Sequence, residues 1–183
     1  MDFLPNREDY LQPLRMVSLD KAKRVSLIDA DDLVYNFDGI AKHLYEELQR
    51  KEPVASCDAL LNNGEQYYFF EFKNQAQRKV ERSQLAKKAF QSFNLFRLAI
   101  EQELSVDEAR DHLSLFVIYA DEGGTESFQS FRDKMCELAK MPGDKSILFD
   151  LRAIEGKLYR EIHTVSASDF MMNWYRILFP IAT

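Results

Sequence analysis

The stretch Cys57–Gln75, CDALLNNGEQYYFFEFKNQ, decides how this chain is read. Asn63-Gly64 stands between two apolar runs, the strongest short-range signal for a β-hairpin. With these two as the central turn residues, Asn62 is expected opposite Glu65, Asp58 opposite Phe69 and Ser56 opposite Glu71. Side chains alternate along a strand, and directly opposed residues share a face. Asp58, Phe69, Glu71 and Lys73 are therefore expected on one face. Cys57, Ala59, Leu61, Tyr68, Phe70 and Phe72 are expected on the other, as its core side.

The charged face has a chemical reading. In this register Asp58 and Glu71 are diagonal neighbours, with Cα atoms roughly 7–8 Å apart. Two carboxylates so placed can converge on one hard divalent cation, Mg²⁺ or Mn²⁺, leaving other positions to water and phosphate. Lys73 lies about 6–7 Å further along the same face at strand rise. Its ammonium can orient a water or offset charge at a phosphate, which is what phosphodiester hydrolysis requires beside the metal. The plainer alternative is a surface pair between Glu71 and Lys73, with Asp58 solvated.

Outward from the hairpin, the pattern is mixed. Phe37, Ile40, Ala41, Leu44 and Leu48 fall at helical spacing, with Asp38 as N-cap and Pro53 beyond the end. Residues 79–103 read as a long helix whose apolar stripe is Ala86, Ala89, Phe90, Phe93, Phe96 and Ile100. HLSLFVIYAD, 112–121, is apolar almost throughout, as in a strand covered on both faces. ESFQSFRDKMCELAK, 126–140, reads as an amphipathic helix. Residues 146–166 read as two strands around Glu155-Gly156, and a last helix is capped by Ser166 or Ser168. Residues 1–30, with Pro5 and Pro13, read as an N-terminal arm on a single domain of 1–183. A sheet packed between helices, of the α/β class, follows.

Composition limits the function. The chain has 183 residues, 46% hydrophobic and 30% charged, enough for one sizeable core. No apolar run approaches the ~18 residues of a membrane span, so no membrane is expected. The start, MDFLPNREDY, lacks the pattern of a secretory signal, and Cys57 and Cys136 lack metal-type spacing. Reduced thiols in a cytoplasmic protein are the expectation. The net charge is −6, yet Lys73–Arg97 holds seven positive residues and one negative. Local charge matters more than net charge to a phosphate groove. Lys79, Arg82, Lys87 and Lys88 are accordingly the candidate nucleic-acid contacts, with a solvated helix face as the alternative. His43, His112 and His163 share no metal-ligand spacing, and there is no glycine-rich phosphate loop.

The ordered set of Asp58, hairpin, Glu71-Phe72-Lys73 and basic helix resembles the PD-(D/E)XK nuclease superfamily over residues 37–120. Cys57 stands where that motif has Pro. The resemblance implies a restriction-endonuclease-like mixed sheet flanked by helices: an α-β-β-α-β core, here with further C-terminal strands and a helix. It implies Asp58, Glu71 and Lys73 as catalytic residues. Asp58 and Glu71 would bind Mg²⁺, with Glu47 from the preceding helix as a further ligand ahead of Asp38 and Glu46. Gln75 fits an accessory position seen after the lysine in some branches. The implied activity is metal-dependent cleavage of nucleic acid, most naturally DNA, by a protein that acts alone, as a homodimer or with a protein partner. A nuclease-fold binding module without catalysis, or an immunity-type protein that binds a partner, is the alternative, and the acidic net charge suits it.

Overall fold

A computed structural model describes residues 7–47, 54–64, 66–99, 104–121 and 147–180. At its centre is a six-stranded mixed sheet. Its strands in chain order are β1 (Leu11–Pro13), β4 (Leu33–Asn36), β5 (Ala59–Asn62), β6 (Tyr67–Ala76), β7 (Leu113–Ala120) and β8 (Glu161–Ser166), and they are also neighbours in that order. Two short strands, β2 (Leu19–Asp20) and β3 (Val25–Ser26), pair separately. The pairs from β1 to β6 are antiparallel, whereas β6, β7 and β8 run parallel. The helices are α1 (Leu14–Val17), α2 (Phe37–Glu47), α3 (Arg82–Ala99) and α4 (Val106–Asp111), with a C-terminal helical stretch from Ala167 to Leu178. Parallel strands cannot be joined by a tight turn, so α3 and α4 serve as the crossover from β6 to β7.

Each face of the sheet has its own core. On one, α2 and α3 bury Phe37, Ile40, Leu44, Leu85, Phe93 and Phe96 against Leu60, Phe69, Leu115, Val117 and Ile162. On the other, Phe170, Leu178 and Phe179 join Leu14 and Ile28 against Ala59, Phe70, Phe72, Phe116 and Ile118. The first six residues of β7 are buried, which is why that strand reads as an unbroken apolar run. No helix among the described residues is long and apolar enough to cross a membrane.

The hairpin differs from the expected register by two residues. Asn62 pairs with Tyr67, Leu61 with Tyr68 and Ala59 with Phe70. The loop is longer than two residues because asparagine side chains stabilise it. Asn62 Oδ1 accepts the Gly64 N–H (2.8 Å) and Asn63 Oδ1 accepts the Gln66 N–H (3.0 Å). Gly64 has φ 97°, a left-handed value that suits glycine. An even slip keeps every strand side chain on its expected face. Cys57 is the exception. It precedes the strand and packs on the α3 side with Leu60 and Phe69, so alternation does not govern it.

Other expectations are corrected. From Arg7 onward the supposed arm is part of the fold: β1 pairs with β4 at the sheet edge, and Leu14 and Ile28 are buried. Asn36, not Asp38, caps α2, its Oδ1 accepting the Gly39 N–H at 2.9 Å. Only one strand, β8, forms among the described residues of 146–166. The chain before it turns over at Phe149 and Asp150, both with φ 60°, to bury Leu151 and Tyr159 against the α3 side. Ser166 caps the last helical stretch through the Asp169 N–H (3.2 Å). The helix expected at 126–140 lies outside the described residues.

The stripe expected on α3 is rotated. Leu85, Ala89, Ser92, Phe93 and Phe96 face the sheet, while Phe90 is 54% exposed. Leu85→Ala should therefore destabilise the protein by about 2–5 kcal/mol, the cost of truncating a buried leucine. Phe90→Ala should change stability by no more than about 0.5 kcal/mol. Urea denaturation of both variants checks the rotation; similar losses would mean that Phe90 packs in the core.

Candidate active site

The charged residues of the hairpin lie beneath α3, on the same face as Leu60 and Phe69. Asp58 sits just before β5. Its N–H donates to Phe70 O (2.9 Å) and its Oδ2 accepts the Phe72 N–H (2.7 Å). The carboxylate thus takes over where the backbone ladder ends, and its two contacts to β6 bracket Glu71. Glu71 is central in the sheet, paired with Val117 of β7, and only 1% exposed.

Two lysines meet these carboxylates. Lys73, two residues along β6, places Nζ 2.8 Å from Glu71 Oε1. Lys88 comes from α3. Its Nζ lies 2.8 and 3.0 Å from the Glu71 oxygens and 3.2 Å from Asp58 Oδ1. One ammonium therefore bridges both acids. The same helix anchors the segment leading into Asp58: Ser92 Oγ accepts the Cys57 N–H and Gln91 Oε1 accepts the Ala55 N–H, both at 2.7 Å. From the other side, the Ser56 hydroxyl donates to Asp38 Oδ1 at 2.6 Å.

Burial dominates the electrostatics. It raises the pKa of Glu71, with the Asp58 charge adding to the effect, and together they outweigh the two ammoniums and push it up to about 7. Asp58 is also raised by burial, against the pull of Lys88 and of the Phe72 N–H. Lys88 holds its proton more tightly than a free lysine because two carboxylates face it, which overcomes its own desolvation. The Cys57 thiol is pushed up by burial and by Glu71, so it is a packed side chain and not a thiolate nucleophile.

Asp58, Glu71 and Lys73 are thus brought together as their pattern suggests. Lys88 joins them, although the sequence places it with Lys79, Arg82 and Lys87 on a basic flank; those three are exposed. A signal for Lys88 was present: it stands three residues after Leu85 and four before Ser92, on the inward stripe of α3. Glu47 closes α2, but its side chain lies outside the described residues. Glu46 is exposed, and Asp38 is held by Ser56. Gln75 lies in the irregular stretch where β6 slips register between Lys73 and Ala76. Among the described residues no three His, Cys, Asp or Glu side chains gather into a metal-ligand set. A crevice of about 390 Å³ opens at the start of α3, lined by Gln77, Arg78, Val80, Arg82, Leu148 and Phe149. Arg82 lies six residues, so about 9 Å along the helix, from Lys88.

Comparison with protein-family models, with curated proteins and with solved structures finds no match to this chain.

The raised Glu71 pKa has a consequence for stability. The folded protein binds a proton there more tightly than the unfolded chain, whose glutamate titrates near 4.5. That contribution is complete below pH 4.5 and is lost as pH rises through about 7. Glutamine at this position does not titrate. Without divalent metal, the stability of Glu71→Gln relative to wild type should improve between about pH 4.5 and 7.5 and then level off. Urea denaturation across this range checks it; a pH-independent difference would mean that the lysines keep Glu71 ionised throughout.

Proposed function

We propose that this chain is a metal-dependent nuclease of the PD-(D/E)XK type, acting on DNA. One observation carries the reading: the carboxylates of Asp58, just before β5, and of Glu71, on β6, converge on a single cation, the Lys88 ammonium, while a second lysine contacts Glu71. The succession α2, β5–β6 hairpin, α3, parallel β7 supports it, being the order of elements that the sequence resemblance implies.

The donor set fits a small hard cation, since Asp58 and Glu71 offer only oxygen. Asp58 and Glu71 would hold Mg²⁺ or Mn²⁺, which when bound supplies Lewis-acid stabilisation of a phosphodiester under attack. Asp58 is oriented by the Phe72 N–H and Glu71 by Lys73. Lys73 is 18% exposed, so its head can reach both Glu71 and an incoming phosphate. There it can hold the attacking water and offset the growing charge. Burial beneath α3 strengthens each of these interactions.

The phosphate chain would run along the N-terminal half of α3. Arg78 and Arg82 line the crevice there, Lys79 is exposed next to Arg78 in the chain, and Lys87 is exposed further along α3. Lys88, engaged with both carboxylates, does not belong to that flank.

A second reading has its own support. Two carboxylates and two ammoniums form a neutral, mutually satisfied quartet, which would equally suit a nuclease-like module that binds without cutting. Cleavage of labelled single- and double-stranded DNA and RNA in Mg²⁺ and in Mn²⁺ separates the two. Asp58→Asn and Lys73→Ala should each lower cleavage by about 10²–10³-fold, the usual loss on removing one transition-state stabiliser, with the circular dichroism spectrum unchanged. Absence of cleavage by the wild type, or full activity of Asp58→Asn, would overturn the nuclease reading. Under either reading, charge removal at Lys79 and Arg82 together should lower the salt slope of duplex binding by roughly 1.8, about 0.9 for each phosphate no longer neutralised. Binding isotherms at several salt concentrations measure it, and an unchanged slope would place the nucleic acid elsewhere.

A further inference from the structure

We propose that Lys88 and a divalent cation compete for one place between Asp58 and Glu71, so that metal enters the site only when the Lys88 side chain withdraws. The inference rests on the metal site proposed above and concerns how that site is controlled. Lys73 touches Glu71 alone, at 2.8 Å. Lys88 touches both acids, at 2.8 and 3.0 Å from Glu71 and 3.2 Å from Asp58. It therefore stands where the two carboxylates jointly direct their oxygens, which is the position a shared dication must take.

The two cations cannot share it. With Lys88 in place, the quartet carries no net negative charge even when Glu71 is ionised, and a dication would add two charges within contact distance of an ammonium in a site where Glu71 is 1% exposed. Lys88, however, has an exit. It is 22% exposed, near the outer edge of the site, and Lys87 beside it is solvent-exposed. Its flexible four-carbon stem can carry the ammonium into water without moving α3, which is held by Leu85, Ala89, Phe93 and Phe96. Lys73 stays behind, seated on β6 and paired with the carboxylate that the metal would also use. Withdrawal of Lys88 also frees a cation at the surface of α3, about 9 Å along the helix from Arg82. Phosphate arriving along that path would stabilise the withdrawn lysine, so nucleic acid and metal should promote each other's binding.

The apparent metal affinity is then the intrinsic affinity reduced by the fraction of molecules with Lys88 withdrawn. If that fraction is about one-tenth or less, removing the lysine tightens binding about tenfold or more. The probe is Mn²⁺ alone, titrated calorimetrically at constant ionic strength into wild type, Lys88→Met and Asp58→Asn/Lys88→Met. Lys88→Met should bind Mn²⁺ at least about tenfold more tightly than wild type, and the double variant should lose that gain. A second measurement uses the wild type, so it does not depend on a variant folding. Mn²⁺ should increase acetylation of Lys88 by acetic anhydride several-fold, read by peptide mass spectrometry, and leave Lys79 and Lys87 unchanged. Mn²⁺ binding that is equal or weaker in Lys88→Met, with Lys88 acetylation unchanged, would overturn the competition and leave the metal site standing. No Mn²⁺ binding to either protein, with acetylation unchanged, would overturn both.

Discussion

A carboxylate almost fully removed from water must be given cations, and much of the architecture around Glu71 satisfies that need. Glu71 occupies the middle of the longest strand, with Asp58 on one side and β7 on the other. Its neighbours along the strand, Phe70 and Phe72, point to the opposite core. An unpaired charge here would cost several kcal/mol. Two lysines and a second acid offset the cost, and the second acid is itself fastened to β6 through the Phe72 N–H. A buried ionic cluster of this kind is seldom the most stable way to fill a core, which is the physical reason to treat it as a candidate site.

Helix α3 ties the site to the fold. Its apolar residues seal one face of the sheet, Lys88 enters the charged cluster, and Gln91 and Ser92 hold the two N–H groups that lead into Asp58. Its partners extend beyond the hairpin: the buried Tyr159 hydroxyl donates to Ala89 O at 2.7 Å, drawing in the segment before β8. Rotation of α3 by even part of a turn would withdraw Lys88 and release the Asp58 segment together. The covering of this sheet face and the geometry of the site therefore depend on the same helix. The N-terminal half of the same helix carries exposed Arg82 and Lys87, so a single element connects the acids to a basic surface.

Much was written locally in the sequence. The Asn63-Gly64 signal and the alternation of the flanking strands brought Asp58, Glu71 and Lys73 to one face, and this survived the slip in register because an even shift preserves alternation. The apolar run of β7 announced a strand buried on both sides. Helix α4 was not anticipated, although its capping box is local: the Ser105 hydroxyl accepts the Glu108 N–H and the Glu108 carboxylate accepts the Ser105 N–H. These features depend on turn chemistry and on periods of two or a few residues, which a linear string displays directly.

What the string did not display depends on contacts between distant segments. The rotation of α3, which exposes Phe90 and turns Lys88 inward, was settled by the sheet surface it covers, because two overlapping helical stripes were both apolar enough to bury. Depth was likewise undecided: alternation places Glu71 on a face but says nothing of whether that face meets water or a helix. The early residues seemed an arm because β1 is too short to show a period, and it exists only through pairing with β4. The sequence by itself determined which charged residues share a face. The tertiary structure decided that this face is covered, that a lysine of α3 completes the cluster, and that the carboxylates are therefore paired rather than solvated.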